Sequence, residues 1–458
     1  MNHRNLTEEL ASLIVNTDLS SNIAAKKSAR LGIIDYLASS FAAADNKSVL
    51  KLWNIVNSEG GNKEVPVIGQ RQKASFLQAG LLNGYIGHVL DYDDVHEDVR
   101  GHPSTVILPS LLSGAATHSV TGERFLGAYI IGVEVMARLG KAVGVEHYIK
   151  GWHNTATLGS IAAAVAVGYL KDFSQIEMQK VIGFAATQAS GLRTQFGTEA
   201  KPLHAGLAAQ NALLAIRCVE ENISGTETAL DEKSGFFSVY GDLSLAEVTL
   251  TKDWGKTWRI VDPGLWFKVY PFCSAAHHAA DATKILMKEY TISATNIESI
   301  DVVFPSNGDA ALIESSPTTG EQGRFSVEYV VSLLIYQYSL SLENFKDSPI
   351  LQDVASFLPK VHRVYDDSII PAPNAVPKNR FTIVKIKMID GTLYEQRIDC
   401  PKGAPGNALS QYDLEFKLYE SLPSNSLLAQ QLIDLINKFH SENHVLQFLS
   451  LLNSHKLR

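Results

Sequence analysis

The sequence predicts a mainly α-helical protein, with a large helical domain carrying a smaller α+β lid inserted before the C-terminal helices. Three observations predict it. Helical apolar periodicity runs from the start to about residue 268, strand-like alternation replaces it up to about residue 405, and helical periodicity then returns. The expected boundaries are 1–268 and 406–458 for the helical domain and 269–405 for the lid. A length of 458 residues agrees with more than one domain, at about 100–200 residues each.

Taken in order, Leu31, Ile34, Ala38 and Phe41 fall at helical spacing, as do Phe125, Tyr129, Ile130 and Val133. Ser174 and Glu177 form a capping box, each side chain satisfying an amide that a helix start leaves open. Ala162–Ala166 and Ala208–Ala215 are rich in small residues, which lets helices approach closely in the middle of a bundle. Beyond Pro271 the pattern changes. Ile300, Val302 and Phe304 alternate, and so do Thr382, Val384, Ile386 and Met388. Asp390-Gly391 supplies a tight turn into a returning strand, 392–398. Pro401–Asn407 reads as a loop, and helical spacing resumes through Leu414, Leu428, Leu432 and Ile436.

Composition excludes several functions. Forty Lys+Arg against 48 Asp+Glu give a net charge of −8, no footprint for nucleic acid or an anionic membrane. Any anionic substrate must then be held by a few placed cations. Three scattered cysteines, Cys218, Cys273 and Cys400, form neither a disulfide framework nor a zinc ribbon. The start lacks the apolar core of a signal peptide, and 161–169 is too short to span a bilayer. A cytoplasmic location is expected.

Chemistry concentrates in four segments. His88 to His102 holds three histidines and five acids in 15 residues. A solvated loop is one reading. Mg²⁺ binding is another, because Asp93-Asp94-Val95-His96-Glu97 fits a DDxxE pattern, although no second metal motif follows. The second segment is Gly151-Trp152-His153, before a small-residue helix. A histidine there is either a cap or a group facing an internal cavity. The third is Lys201-Pro202-Leu203-His204, where the lysine is either solvated or a carboxylate clamp. The fourth, Lys268 to His278, lies at the composition change, where pockets are common.

Together these segments resemble the MmgE/PrpD family, which contains 2-methylcitrate dehydratases and cis-aconitate decarboxylases. The resemblance runs in order along nearly the whole chain. It begins at Asn83-Gly84, His88, Asp91-Tyr92-Asp93-Asp94 and His102-Pro103-Ser104, and continues through Gly151-Trp152-His153 and 201–211. It then takes in Gly235-Phe236-Phe237, Lys268 to His277 with Asp281, Arg324-Phe325-Ser326, and 403–407. The resemblance implies a homodimer, no cofactor, no metal and a small polycarboxylate substrate. By position it implies Asp91, His102, His153, Lys201 and His277 as the catalytic set, with Asp93, Lys268 and His204 as substrate contacts. Two departures bear on the substrate. Val95 stands where decarboxylase relatives commonly carry Thr, and the stretch from Asp94 to His102 is about one residue longer than the family pattern.

Such a set can remove water or CO₂ from a polycarboxylate without a metal. Histidines move protons near neutral pH, and a lysine holds a carboxylate. The expected activity is a cofactor-independent lyase. A racemase or epimerase using the same proton abstraction, and a non-catalytic carboxylate-binding relative, remain the alternatives.

Overall fold

The computed structural model describes residues 5–231 and 233–453, so Met1–Arg4 of the N-terminal reading lie outside it. The protein is mainly helical with a small β component, and it divides into two compact units. The first comprises 1–194, 199–265 and 410–458, and the second 195–198 and 266–409. Among the described residues no helix is long and apolar enough to cross a membrane.

The first unit is built around Gly159–Leu170, a helix in which all 12 residues are buried. Its Ala, Gly and Val side chains are short, so Ser104–Thr117, Gly122–Ile149 and Ala200–Glu220 all pack on it. Phe76–His88 in turn crosses Ala200–Glu220 with almost no side chain between them. A Cβ on Gly84 would lie 2.8 Å from the Cα of Gly206, and one on Gly206 would collide with the Leu81 carbonyl. This crossing sets the end of one helix, His88, near the start of the other, Lys201. Asn83 fixes the same helix by accepting from the Ile68 amide at 2.9 Å and donating to the Pro66 carbonyl at 3.0 Å.

The C-terminal helices Gln411–Ser421, Ser426–Asn437 and Glu442–Leu452 belong to this unit, and the first packs on Ile23–Ala43. Ser174 and Glu177 form the expected capping box.

The second unit holds a four-stranded sheet in the order Val361–Tyr365, Ile297–Phe304, Thr382–Met388, Leu393–Ile398. The first pairing is parallel and the others antiparallel, with Val302 opposite both Arg363 and Val384. Ile300, Val302, Phe304, Val384 and Ile386 are buried, and helices His277–Glu289 and Val327–Ile335 belong to the same core. The Asp390-Gly391 turn forms as expected, with Gly391 at φ 88°. Val361–Tyr365 did not show in the sequence, because an edge strand buries little and loses its alternation.

The Gly84–Gly206 crossing has no room for a methyl group. Gly206→Ala is expected to destabilise the protein by about 1–3 kcal/mol, as overpacked core positions do. A lowered thermal midpoint checks this, and an unchanged midpoint contradicts it.

Candidate active site

Four of the five residues expected to be catalytic, Asp91, His102, His153 and Lys201, are buried in the first unit, and contacts among them and their neighbours link them into one cluster. Lys201 lies in the first turn of Ala200–Glu220, where the helix dipole disfavours a cation. Asp91 compensates, accepting a short hydrogen bond from the Lys201 ammonium. Asp91 has φ 52°, a left-handed conformation that Asp tolerates better than branched residues do.

The loop carrying Asp91 is held on both sides. Lys417 donates to the Tyr92 carbonyl at 2.8 Å and to Asp35 at 2.7 Å, and its ammonium lies 3.6 Å from the Tyr92 ring centroid. On the other side, buried Asp94 engages Ser104, which in turn bonds the Tyr129 hydroxyl. Burial, then Asp35, push the Asp94 carboxyl well above its ordinary range.

Asp93 gathers two imidazoles. His88 Nδ1 lies 3.0 Å from each Asp93 oxygen, and His102 Nδ1 lies 3.2 Å from Oδ2. The other nitrogen of His102 is 3.8 Å from Asp91. Burial works to raise the Asp93 pKa, but His88 and His102 outweigh it and keep the carboxyl well below its usual range. His88 therefore donates from Nδ1 and presents a bare Nε2, which has no hydrogen-bond partner among the described residues. Burial, aided by Lys201 and His102, lowers the His88 pKa to about 3. The His88 ring centroid is 4.4 Å from that of His102 and 6.0 Å from that of His153.

His153 precedes the short helix Asn154–Thr157 but does not cap it. Its amide donates to the Gly191 carbonyl at 3.0 Å, and its Nδ1 faces His204 Nδ1 at 3.0 Å. Burial, then Lys201, depress the His153 pKa well below the ordinary value.

His88, Asp91, Asp93 and His102 could each offer one atom to a metal, all within 4.8 Å of one another. Asp94 and Glu97 are not in that set, and Asp94 turns instead to Ser104, so the geometry does not follow the DDxxE pattern. The Lys201 ammonium already sits on Asp91, and a divalent cation would have to displace it.

His277 and Lys268 belong to the second unit and are buried there. His277 begins helix His277–Glu289 among the rings of Trp266, Tyr270 and Phe272. Its Nε2 lies 3.2 Å from the Phe272 carbonyl, which can only accept, so Nε2 carries the proton. Other motif residues brace this segment. Asp281 accepts from the Tyr270 hydroxyl and the Lys402 amide, both at 2.7 Å, and the Cys273 amide donates to the Arg324 carbonyl at 2.9 Å.

Sequence reasoning placed His88 in its polar segment and family signature without giving it a role, and it did not single out Asp35 or Lys417. Asp35 was visible as a lone charge inside Ile33-Ile34-Asp35-Tyr36-Leu37.

A mainly helical unit encloses this buried His/Lys/Asp cluster. Family models agree on the lineage. The MmgE/PrpD N-terminal domain matches residues 8–247 and the MmgE/PrpD C-terminal domain matches 270–438, so the chain belongs to the MmgE/PrpD family. It is 26% identical over 361 residues to a cis-aconitate decarboxylase of Aspergillus terreus, covering 74% of this chain and 73% of that protein. It is also 26% identical over 350 residues to a cis-aconitate decarboxylase of Homo sapiens, covering 74% of this chain and 71% of that one.

The buried imidazoles make the fold acid-labile. A histidine whose folded pKa is depressed binds fewer protons folded than unfolded. Its contribution to stability is whole above 6.5, the ordinary value, and for His88 it declines toward about 3. Each pH unit in that window weakens the fold by up to about 1.4 kcal/mol per such histidine. The thermal midpoint should fall across the window, and less steeply in His88→Gln. Equal slopes in the two proteins would contradict the assignment.

Proposed function

We propose that this chain is a metal-independent lyase acting on a small polycarboxylate, with decarboxylation of a cis-aconitate-like substrate as the leading reading. The observation that carries it is the buried Lys201–Asp91 pair set among the imidazoles of His88, His102 and His153. The names of the relatives give the leading reading its substrate class. Lys201 is the carboxylate clamp. In decarboxylation a C–C bond breaks, CO₂ leaves, and the electron pair stays on carbon as enolate-like charge until an imidazole protonates it. His102 and His153 are the donors available in the first unit. His277 and Lys268 join the set on family grounds, as do a two-fold dimer and the role of the second unit as a lid.

In the first-unit cluster Asp91 and Asp93 face Lys201, His88 and His102, and burial lowers the pKa values of His88 and His153. A polyanion bound there would favour proton uptake by these imidazoles. Dehydration of the 2-methylcitrate type is the second reading, favoured by Val95, whose buried side chain has no hydroxyl to offer a substrate.

Incubation with 2-methylcitrate, citrate and cis-aconitate, followed by NMR, should give itaconate-type product and CO₂ from cis-aconitate. Loss of water from 2-methylcitrate alone would favour the second reading. Deuterium exchange without net reaction would point to an epimerase, and no change in any of them would defeat the enzyme reading.

Turnover should survive EDTA. Complete loss that added metal reverses would overturn the metal-independent account.

Lys201→Ala should mainly raise KM. His153→Ala and His277→Ala should mainly lower kcat, by roughly 10²–10⁴. Near-normal turnover in both histidine variants would remove them from the chemistry.

A further inference from the structure

Decarboxylation consumes one proton per turnover, because CO₂ departs and hydrogen takes its place on carbon. While substrate fills the site, a donor buried as deeply as His153 is shut off from solvent. The geometry supplies a route. The two Nδ1 atoms of His153 and His204 lie 3.0 Å apart, and a hydrogen bond at that distance requires one to carry a proton and the other to be bare. Gly191 permits the approach, since at φ 124° its missing Cβ would lie 2.9 Å from the Ala156 Cβ and 3.5 Å from the His204 ring. His204 also lines a small recess with Gln188, Ser190 and Asn211. Ser190 is exposed, and Gln188, His204 and Asn211 are half-buried. The charged and titratable groups around His153 are Lys201, His88, His102 and His204, so His204 is the one that also reaches this recess.

We infer that His204 is a relay, a positioning residue that acts through His153 by passing it a proton from the recess. This rests on the decarboxylase reading. In the step, His153 gives its Nε2 proton to the substrate carbanion as its Nδ1 takes the Nδ1 proton of a neutral His204, whose Nε2 takes a proton from water or buffer in the recess. The cycle closes after product leaves, when each ring moves its proton back to the starting nitrogen through water. The net change is one solvent proton placed on carbon. The relay accounts for a half-exposed histidine directed at a buried one, for which a substrate contact gives no reason.

The test uses the full chain with whichever polycarboxylate it turns over. In dilute buffer His204→Ala should lower kcat by about 10²-fold, the low end for a lost proton-transfer group, with KM little changed. Added imidazole should restore most of the rate by occupying the vacated space. His204→Gln keeps the bulk and should be slow without being rescued. Unchanged kcat in His204→Ala, or a loss that imidazole leaves in place while the thermal midpoint is normal, would overturn the relay but not the lyase. A second readout needs no turnover. In ¹⁵N-histidine spectra of the wild type, the Nδ1 signals of His153 and His204 should be one protonated and one bare, linked by coupling across the hydrogen bond. Two protonated or two bare signals would overturn the relay even if the substrate panel shows no reaction.

Discussion

An ammonium buried against a carboxylate inside a packed helical body is the constraint on which the first unit depends. Removing one member of such a pair typically costs about 3–5 kcal/mol, because the other charge is left without compensation. Lys201 and Asp91 come from a helix start and a loop 110 positions apart, so the pair ties the loop to the helix. The same pair places a cation where a polyanion can share it, among imidazoles that burial keeps short of protons. Stability and reactivity meet there.

The surrounding structure holds this arrangement still. Close helix packing without side chains at Gly84 and Gly206 sets the distance between His88 and Lys201. A second buried pair, Asp35 with Lys417, pins the loop at Tyr92 from the C-terminal helices, which explains why the chain returns to the first unit after forming the second. Asp94, tied to Ser104, fixes the loop on the other side of Asp93. Each brace is a buried polar group with a named partner, so the loop keeps its geometry although it has no regular secondary structure.

Much of this was legible in the sequence, for physical reasons. Alternation marked the strands 297–304 and 382–388 because both have a buried face, and the DG turn marked the return into 393–398. The three site segments of the first unit stood out because charged groups rarely sit inside apolar surroundings without a partner. Three things were not legible. The edge strand Val361–Tyr365 has too little burial to leave a pattern. The partner of Asp35 lies 382 positions away, and nothing local to Lys417 names it. The role of His204 depends on one Nδ1 facing another, a property of the folded ring orientations. The family resemblance gave His204 as a substrate contact, and the fold adds that its Nδ1 faces that of His153.

The central claim is that a polycarboxylate binds at the Lys201–Asp91 pair and brings protons with it. Calorimetric titration with a non-reacting tricarboxylate, repeated in buffers of different ionisation enthalpy, measures that linkage directly. The account predicts uptake of about one proton or more per ligand near neutral pH, with binding greatly weakened in Lys201→Met. Binding without proton uptake, or equally tight in Lys201→Met, would contradict it.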